Sequence, residues 1–122
     1  MGKLKYALSI YGTDSAIYDF AQAQNLSGVF YDFRILINLQ AGIRRFIETG
    51  SLPLPFFEEN LPRLREKVLI GDEIGCGIVP LDPLEREWRD QTGFVYQFLA
   101  RESEIVDRIW AGLPVRMKGP AI

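Results

Sequence analysis

Four short apolar runs alternate with stretches of helical periodicity, and this alternation limits the possible folds more than any other feature of the chain. The runs cover residues 4–11, 29–33, 67–71 and 105–111, each closed by glycine or a charged residue, and they predict strands. Between the first two, Asp14 or Ser15 can cap a short helix carrying Ile17, Phe20 and Ala21. From Ile35 the period changes. Ile35, Leu36, Leu39, Ile43, Phe46 and Ile47 mark one helical face, with Arg44, Arg45 and Glu48 off it. Prolines break the pattern over residues 50–55, and Pro62 interrupts residues 56–66. Leu84, Trp88, Val95, Phe98 and Leu99 predict a long amphipathic helix from Pro83 to about Ser103, and residues 112–119 read as a terminal loop. The order predicts one α/β domain over residues 1–122, a mostly parallel sheet flanked by helices. Ligands of such sheets sit beyond the carboxyl ends of the strands. Here those ends are residues 12–15, 32–34, 71–75 and 111–114.

Composition narrows the function. With 48% apolar and 25% charged residues, 122 residues suffice for one core without staples. A net charge of −2 argues against nucleic acid or an anionic membrane as partner. The chain has no histidine, which removes imidazole acid–base chemistry, imidazole metal ligands and a covalent histidine intermediate. Cys76 is the sole cysteine, so no disulfide forms within the chain and no base stands near to activate it. The apolar run at the amino terminus is too short for a secretory or spanning segment, so the expectation is a cytoplasmic protein off the membrane.

Four places could carry chemistry. The turn Gly12-Thr13-Asp14-Ser15 has one glycine and no lysine, unlike a phosphate loop, which needs Gly, four residues, Gly, Lys and Ser or Thr. Lys3, Lys5, Lys67 and Lys118 fall in no glycine-rich loop that opens a predicted helix. Asp32, at the end of the second run, reads as a Mg²⁺ ligand or as a helix cap. Asp72 and Glu73, followed by Gly75, Cys76 and Gly77, read as an acidic ligand site or as a solvated turn. On the long helix, Arg86, Asp90, Gly93 and Gln97 share one face with Arg89 on its flank, either a ligand-binding face or one laced with ion pairs. Gly93 in mid-helix asks for close packing or a ligand.

Taken together, residues 68–119 resemble the bifunctional adenosylcobinamide kinase/adenosylcobinamide-phosphate guanylyltransferase family. GDEIGCGIVP (71–80) is similar to its Asn-Glu-Val-Gly-x-Gly-Ile-Val-Pro motif. LEREWRDQTGFVYQ (84–97) is similar to its Leu-x-Arg-x-aromatic-Arg-Asp-x-x-Gly-x-x-Asn-Gln helix. AGLPVRMKG (111–119) is similar to its closing segment, and FYDFRILI (30–37) looks like its Walker-B strand and following helix. The resemblance implies a RecA-like core that binds ATP or GTP with Mg²⁺. It gives Asp32 the Walker-B role and makes Glu73 the acid after the fourth core strand. Arg86, Arg89, Asp90 and Gln97 would line the functional helix, with Asp72, Gly75, Gly77 and Lys118 as further ligand-binding positions.

The chain also departs from the family. Family chains are longer, and most of the missing length falls between the first strand and Asp32. The guanylylated histidine and the phosphate loop have no counterpart, Asp72 replaces asparagine, and Tyr96 replaces the first of the Asn-Gln pair. The expectation is a truncated core without a phosphate loop, a non-catalytic ligand- or partner-binding homologue in corrinoid metabolism that forms a homo-oligomer. The alternatives are a residual ATP- or GTP-dependent kinase-like enzyme and an oligomeric scaffold.

Overall fold

The computed structural model describes residues 2–22, 32–74 and 81–121. It is an α/β fold in which α1 (Lys3–Tyr11), β1 (Ile17–Asp19), β2 (Ile35–Ile37), α2 (Leu39–Glu48), α3 (Leu54–Glu59), α4 (Leu61–Leu64), β3 (Val68–Leu69), α5 (Pro83–Glu102), β4 (Val106–Trp110) and β5 (Leu113–Lys118) follow in order. The strands form two sheets. One is parallel, in the order β1-β2-β3, and the other is the antiparallel hairpin β4-β5. In the first, Ile17 aligns with Ile35 and Ile35 with Val68, so β2 is central. A strand flanked on both sides and covered on both faces is apolar throughout, and Ile35 and Leu36 are fully buried.

Several predicted elements exchange identity. The first apolar run is helix, not strand: Leu4, Ala7, Leu8 and Tyr11 recur at i, i+3, i+4 and i+7, and Ala7 is buried. The predicted helix beginning at Asp14 or Ser15 gives way to β1, because Ile17 and Tyr18 pair with Ile35 and Leu36. Ile35 and Leu36 belong to β2, so the predicted helix starts at Leu39. The predicted strand over 29–33 lies mostly outside the described residues, and Asp32 and Phe33 are not in a strand. Residues 112–119 are not a loop but supply β5, which pairs with β4 around the two-residue turn Ala111-Gly112.

One core unites the parallel sheet with its helices: Phe20, Leu36, Leu39, Ile43, Phe57, Leu64, Val95 and Leu99. Side-chain exclusion sets two close approaches. Gly42 admits the buried ring of Phe20, whose Cδ1 would lie 2.9 Å from a Cβ there. At Gly71 a Cβ would run into Tyr96. The long helix is as predicted. Asp82 caps it by accepting from the Leu84 amide at 2.8 Å, and Pro83 occupies its first turn, where no intrahelical donor is lost.

Candidate functional site

At the carboxyl ends of β1, β2 and β3 a chain of polar side chains runs across the sheet. β2 passes into α2 through Asn38, in the left-handed conformation (φ 59°), which asparagine tolerates better than most residues. Its amide donates to Asp19 Oδ1 at 2.8 Å, at the end of β1. Gln40, in the first turn of α2, donates to Asn38 Oδ1 and to Asp72 Oδ2, each at 3.4 Å, and accepts from the Asp72 amide at 2.9 Å. Lys3, the first residue of α1, places Nζ 2.9 Å from Asp72 Oδ1. From the other side Tyr96 of α5 donates its hydroxyl to the Asp72 carbonyl at 2.7 Å, and burial pushes its ionisation well above the ordinary phenol value. Trp88 of α5 donates to the Gln40 carbonyl at 2.8 Å. Asp72 is thus held by α1, α2 and α5 at once.

The sequence reading missed Lys3, Asp19, Asn38, Gln40 and Tyr96 as site residues. The signal for Lys3 was present. Gly2 and Lys3 match the last glycine and the lysine of the phosphate-loop pattern, with Leu4 where Ser or Thr would stand, and they open a helix. Reading that helix as a strand hid the match. The same error displaced the predicted ligand edge. Residues 12–15 connect α1 to the start of β1, at the amino end of the sheet, and residues 111–114 lie at the hairpin turn.

Of the predicted site residues, Asp72 lies at the centre of the cluster. Glu73 is ion-paired with Arg108 of β4 at 2.8 Å. Arg86, Asp90 and Gln97 form an exposed face of α5, where Arg86 donates to the Leu81 carbonyl. A Cβ at Gly93 would meet nothing within 4 Å, so packing inside the described chain does not require glycine there. Arg89 carries a buried Nη1 with no hydrogen-bond partner among the described residues. At i and i+7 it shares a side of α5 with Tyr96. Lys118 is turned to the Ala100 and Arg101 carbonyls, at 3.0 and 2.9 Å, where it caps the end of α5. Gly75 and Gly77 lie outside the described residues.

Asp32 is where the structure corrects the reading most. It precedes β2 instead of ending it, and with Phe33, Arg34, Pro62, Arg63, Glu66 and Lys67 it lines an open hollow at the amino end of the sheet. Asn38, not Asp32, ends β2. Asp32 therefore lies at the opposite end of the parallel sheet from the Asp72 cluster. Among the described residues no three acidic or cysteine side chains converge to hold a metal. No helix among them is long and apolar enough to cross a membrane.

Comparison with known proteins bears on this arrangement directly. The sequence model of the family described as cobinamide kinase / cobinamide phosphate guanyltransferase matches residues 57–117, half of the chain, from α3 to β5. The bifunctional adenosylcobalamin biosynthesis protein CobP of Pseudomonas aeruginosa is 40% identical over 52 residues, which is 43% of this chain and 30% of that protein. The chain therefore aligns with under a third of that relative's length. The matched stretch holds Asp72 and Glu73, the whole of α5 and the hairpin, and on this match the chain belongs to the cobinamide kinase / cobinamide phosphate guanyltransferase family.

Proposed function

We propose that the chain is a ligand-binding member of this family that takes an anionic ligand, a nucleotide or a corrinoid phosphate, at the carboxyl ends of β1–β3, and that it performs no guanylyl transfer by itself. The observation that carries this reading is Lys3. Its ammonium stands at the head of α1, where the helix dipole favours negative charge, and among the described residues Asp72 is its ion-pair partner. A phosphate that displaces Asp72 meets the lysine and the first amides of α1 together. Arg89, with its unpartnered buried nitrogen, offers a second cation on the Tyr96 side of α5. The absence of histidine from the 122 residues removes the nucleophile that the resemblance requires for guanylyl transfer.

Isothermal titration with GTP, ATP and adenosylcobinamide, each with and without Mg²⁺, tests the proposal. Nucleotide binding at micromolar concentration, weakened tenfold or more by Lys3→Ala, is the expected result. Asp72→Asn should tighten it several-fold, because that carboxylate competes for the lysine. Loss of binding in Asp72→Asn would instead make the carboxylate a ligand contact and overturn this arrangement. A second reading, residual ATP- or GTP-dependent phosphorylation of adenosylcobinamide, is favoured by the Gly2-Lys3 pair at the helix head. Turnover abolished by Lys3→Ala would establish it.

A further inference from the structure

Two neighbouring residues of β4 hold the two sides of the Lys3–Asp72 contact. Alternation along the strand sends Asp107 and Arg108 to opposite faces of the hairpin. On one face Asp107, its side chain only 14% exposed, accepts from the Tyr6 hydroxyl of α1 at 2.9 Å. On the other, Arg108 is paired with Glu73, the residue after Asp72. Tyr6 lies three residues beyond Lys3, so the two side chains leave α1 on nearly the same side. Its amide donates to the Gly2 carbonyl at 2.9 Å and closes the turn that carries Lys3. The hairpin turn backs the same spot, since a Cβ on Gly2 would lie 3.6 Å from the Gly112 Cα.

This mounting is itself braced. Arg116 of β5 donates to both carboxylate oxygens of Asp107 and, through Nη1, to the Pro120 carbonyl at 2.6 Å. Lys118, in the same strand, caps the end of α5. The helix α1 has less footing of its own. None of its residues joins the apolar cluster. Among the described residues, its side chains make one ion pair and one hydrogen bond to other elements, Lys3 to Asp72 and Tyr6 to Asp107. An anion that takes the place of Asp72 removes the first, and the second then keeps the ammonium where the anion arrives. We infer that Asp107, acting through Tyr6, is a positioning residue that holds Lys3 for the incoming anion. The effect on affinity rests on the ligand-binding reading above, whereas the positioning itself is measurable without ligand.

Nitrogen-15 relaxation of the ligand-free Asp72→Asn chain, in which Lys3 has lost its carboxylate, tests the positioning. The amides from Lys3 to Tyr6 should keep order parameters of about 0.85, a rigid backbone, and fall below about 0.6 when Tyr6→Phe is added. Tyr6→Phe removes the hydroxyl alone and leaves the net charge and the Asp107–Arg116 pair intact. Isothermal titration with GTP and Mg²⁺ reads the consequence. Tyr6→Phe should weaken binding about three- to tenfold, what a net hydrogen bond is worth, and should change nothing once Lys3→Ala has removed the ammonium. Asp107→Ala should also weaken binding, although losing a negative charge by itself favours an anion. A first turn of α1 that stays rigid in the chain carrying both Asp72→Asn and Tyr6→Phe overturns the inference. An equal loss of affinity in the Lys3→Ala background overturns it too, because Tyr6 would then act on the fold and not on Lys3. No GTP binding by the unaltered chain would overturn the ligand-binding reading alone, and the relaxation result would still decide the role of Tyr6.

Discussion

The parallel sheet and the hairpin are held by different forces. Around β1–β3, helices α2, α3, α4 and α5 close on one apolar cluster, with Leu36, Ile43 and Val95 fully out of water. No residue of α1 or of the hairpin enters that cluster. Their polar contacts are Tyr6 and Arg116 on Asp107, Arg108 on Glu73, and Lys118 on the end of α5, while α1 also buries Ala7 outside that cluster. Burying a methylene contributes about 0.8 kcal/mol wherever it happens. An ion pair that is half in water, as Arg108–Glu73 is, contributes from nothing to about 1 kcal/mol. The first region should therefore melt as one unit and the second open on its own.

Substitutions can break or sharpen that contrast. Ile43→Ala, in the core, should cost about 2–5 kcal/mol and lower a single cooperative transition monitored by circular dichroism. Gly71→Ala should cost about 1–3 kcal/mol, because the new methyl displaces Tyr96 from its seat, and changed tyrosine fluorescence should accompany the loss. Asp107→Ala should cost about 1–3 kcal/mol, felt locally. Hydrogen exchange should then speed up in β4 and β5 while β2 and α2 keep their protection, and equal acceleration in both regions would erase the distinction. At the small end, Ala111→Asn should stabilise the hairpin by about 0.5–1 kcal/mol, since Ala111 sits at φ 49° in a turn whose two positive-φ positions favour Asn-Gly.

Alkali probes the joint between α5 and the sheet. Burial raises the ionisation of Tyr96 in the folded chain above its unfolded value near 10. Stability from the neutral phenol is complete below that value and falls as pH rises beyond it, because the unfolded chain releases the proton first. The alkaline decline in melting temperature should be shallower in Tyr96→Phe, whose stability at neutral pH is lower by the hydrogen bond to the Asp72 carbonyl.

The long helix and two of the apolar runs were legible in the sequence, whereas the other short elements were not. α5, with twenty residues, a capping aspartate and a proline in its first turn, could be read from Asp82 onward. β3 and β4 lie inside apolar runs read as strands, residues 67–71 and 105–111, whereas β1 has three residues, too few for alternation to show, and its pairing with β2 decides its state. α1 has helical spacing, yet its run of Tyr, Leu, Ile and Tyr also satisfies a strand's composition. β5 was hidden by Pro114, which a regular strand discourages but an edge strand accepts. The site followed the same division. Asp72 was visible as a polar residue after an apolar run, whereas Asn38 and Gln40 became site residues only once β2 was placed at Ile35–Ile37.

The Lys3–Asp72 contact also determines how the site should respond to ionic strength. A bare lysine sheds screening ions when it captures a phosphate, and its affinity falls as salt is added. Lys3 already holds a carboxylate, so an incoming anion replaces one counter-charge with another and the bulk electrolyte weakens both partners alike. Ligand capture should therefore fall less steeply with added sodium chloride than it does once Asp72 is made neutral and Lys3 contributes its own screening.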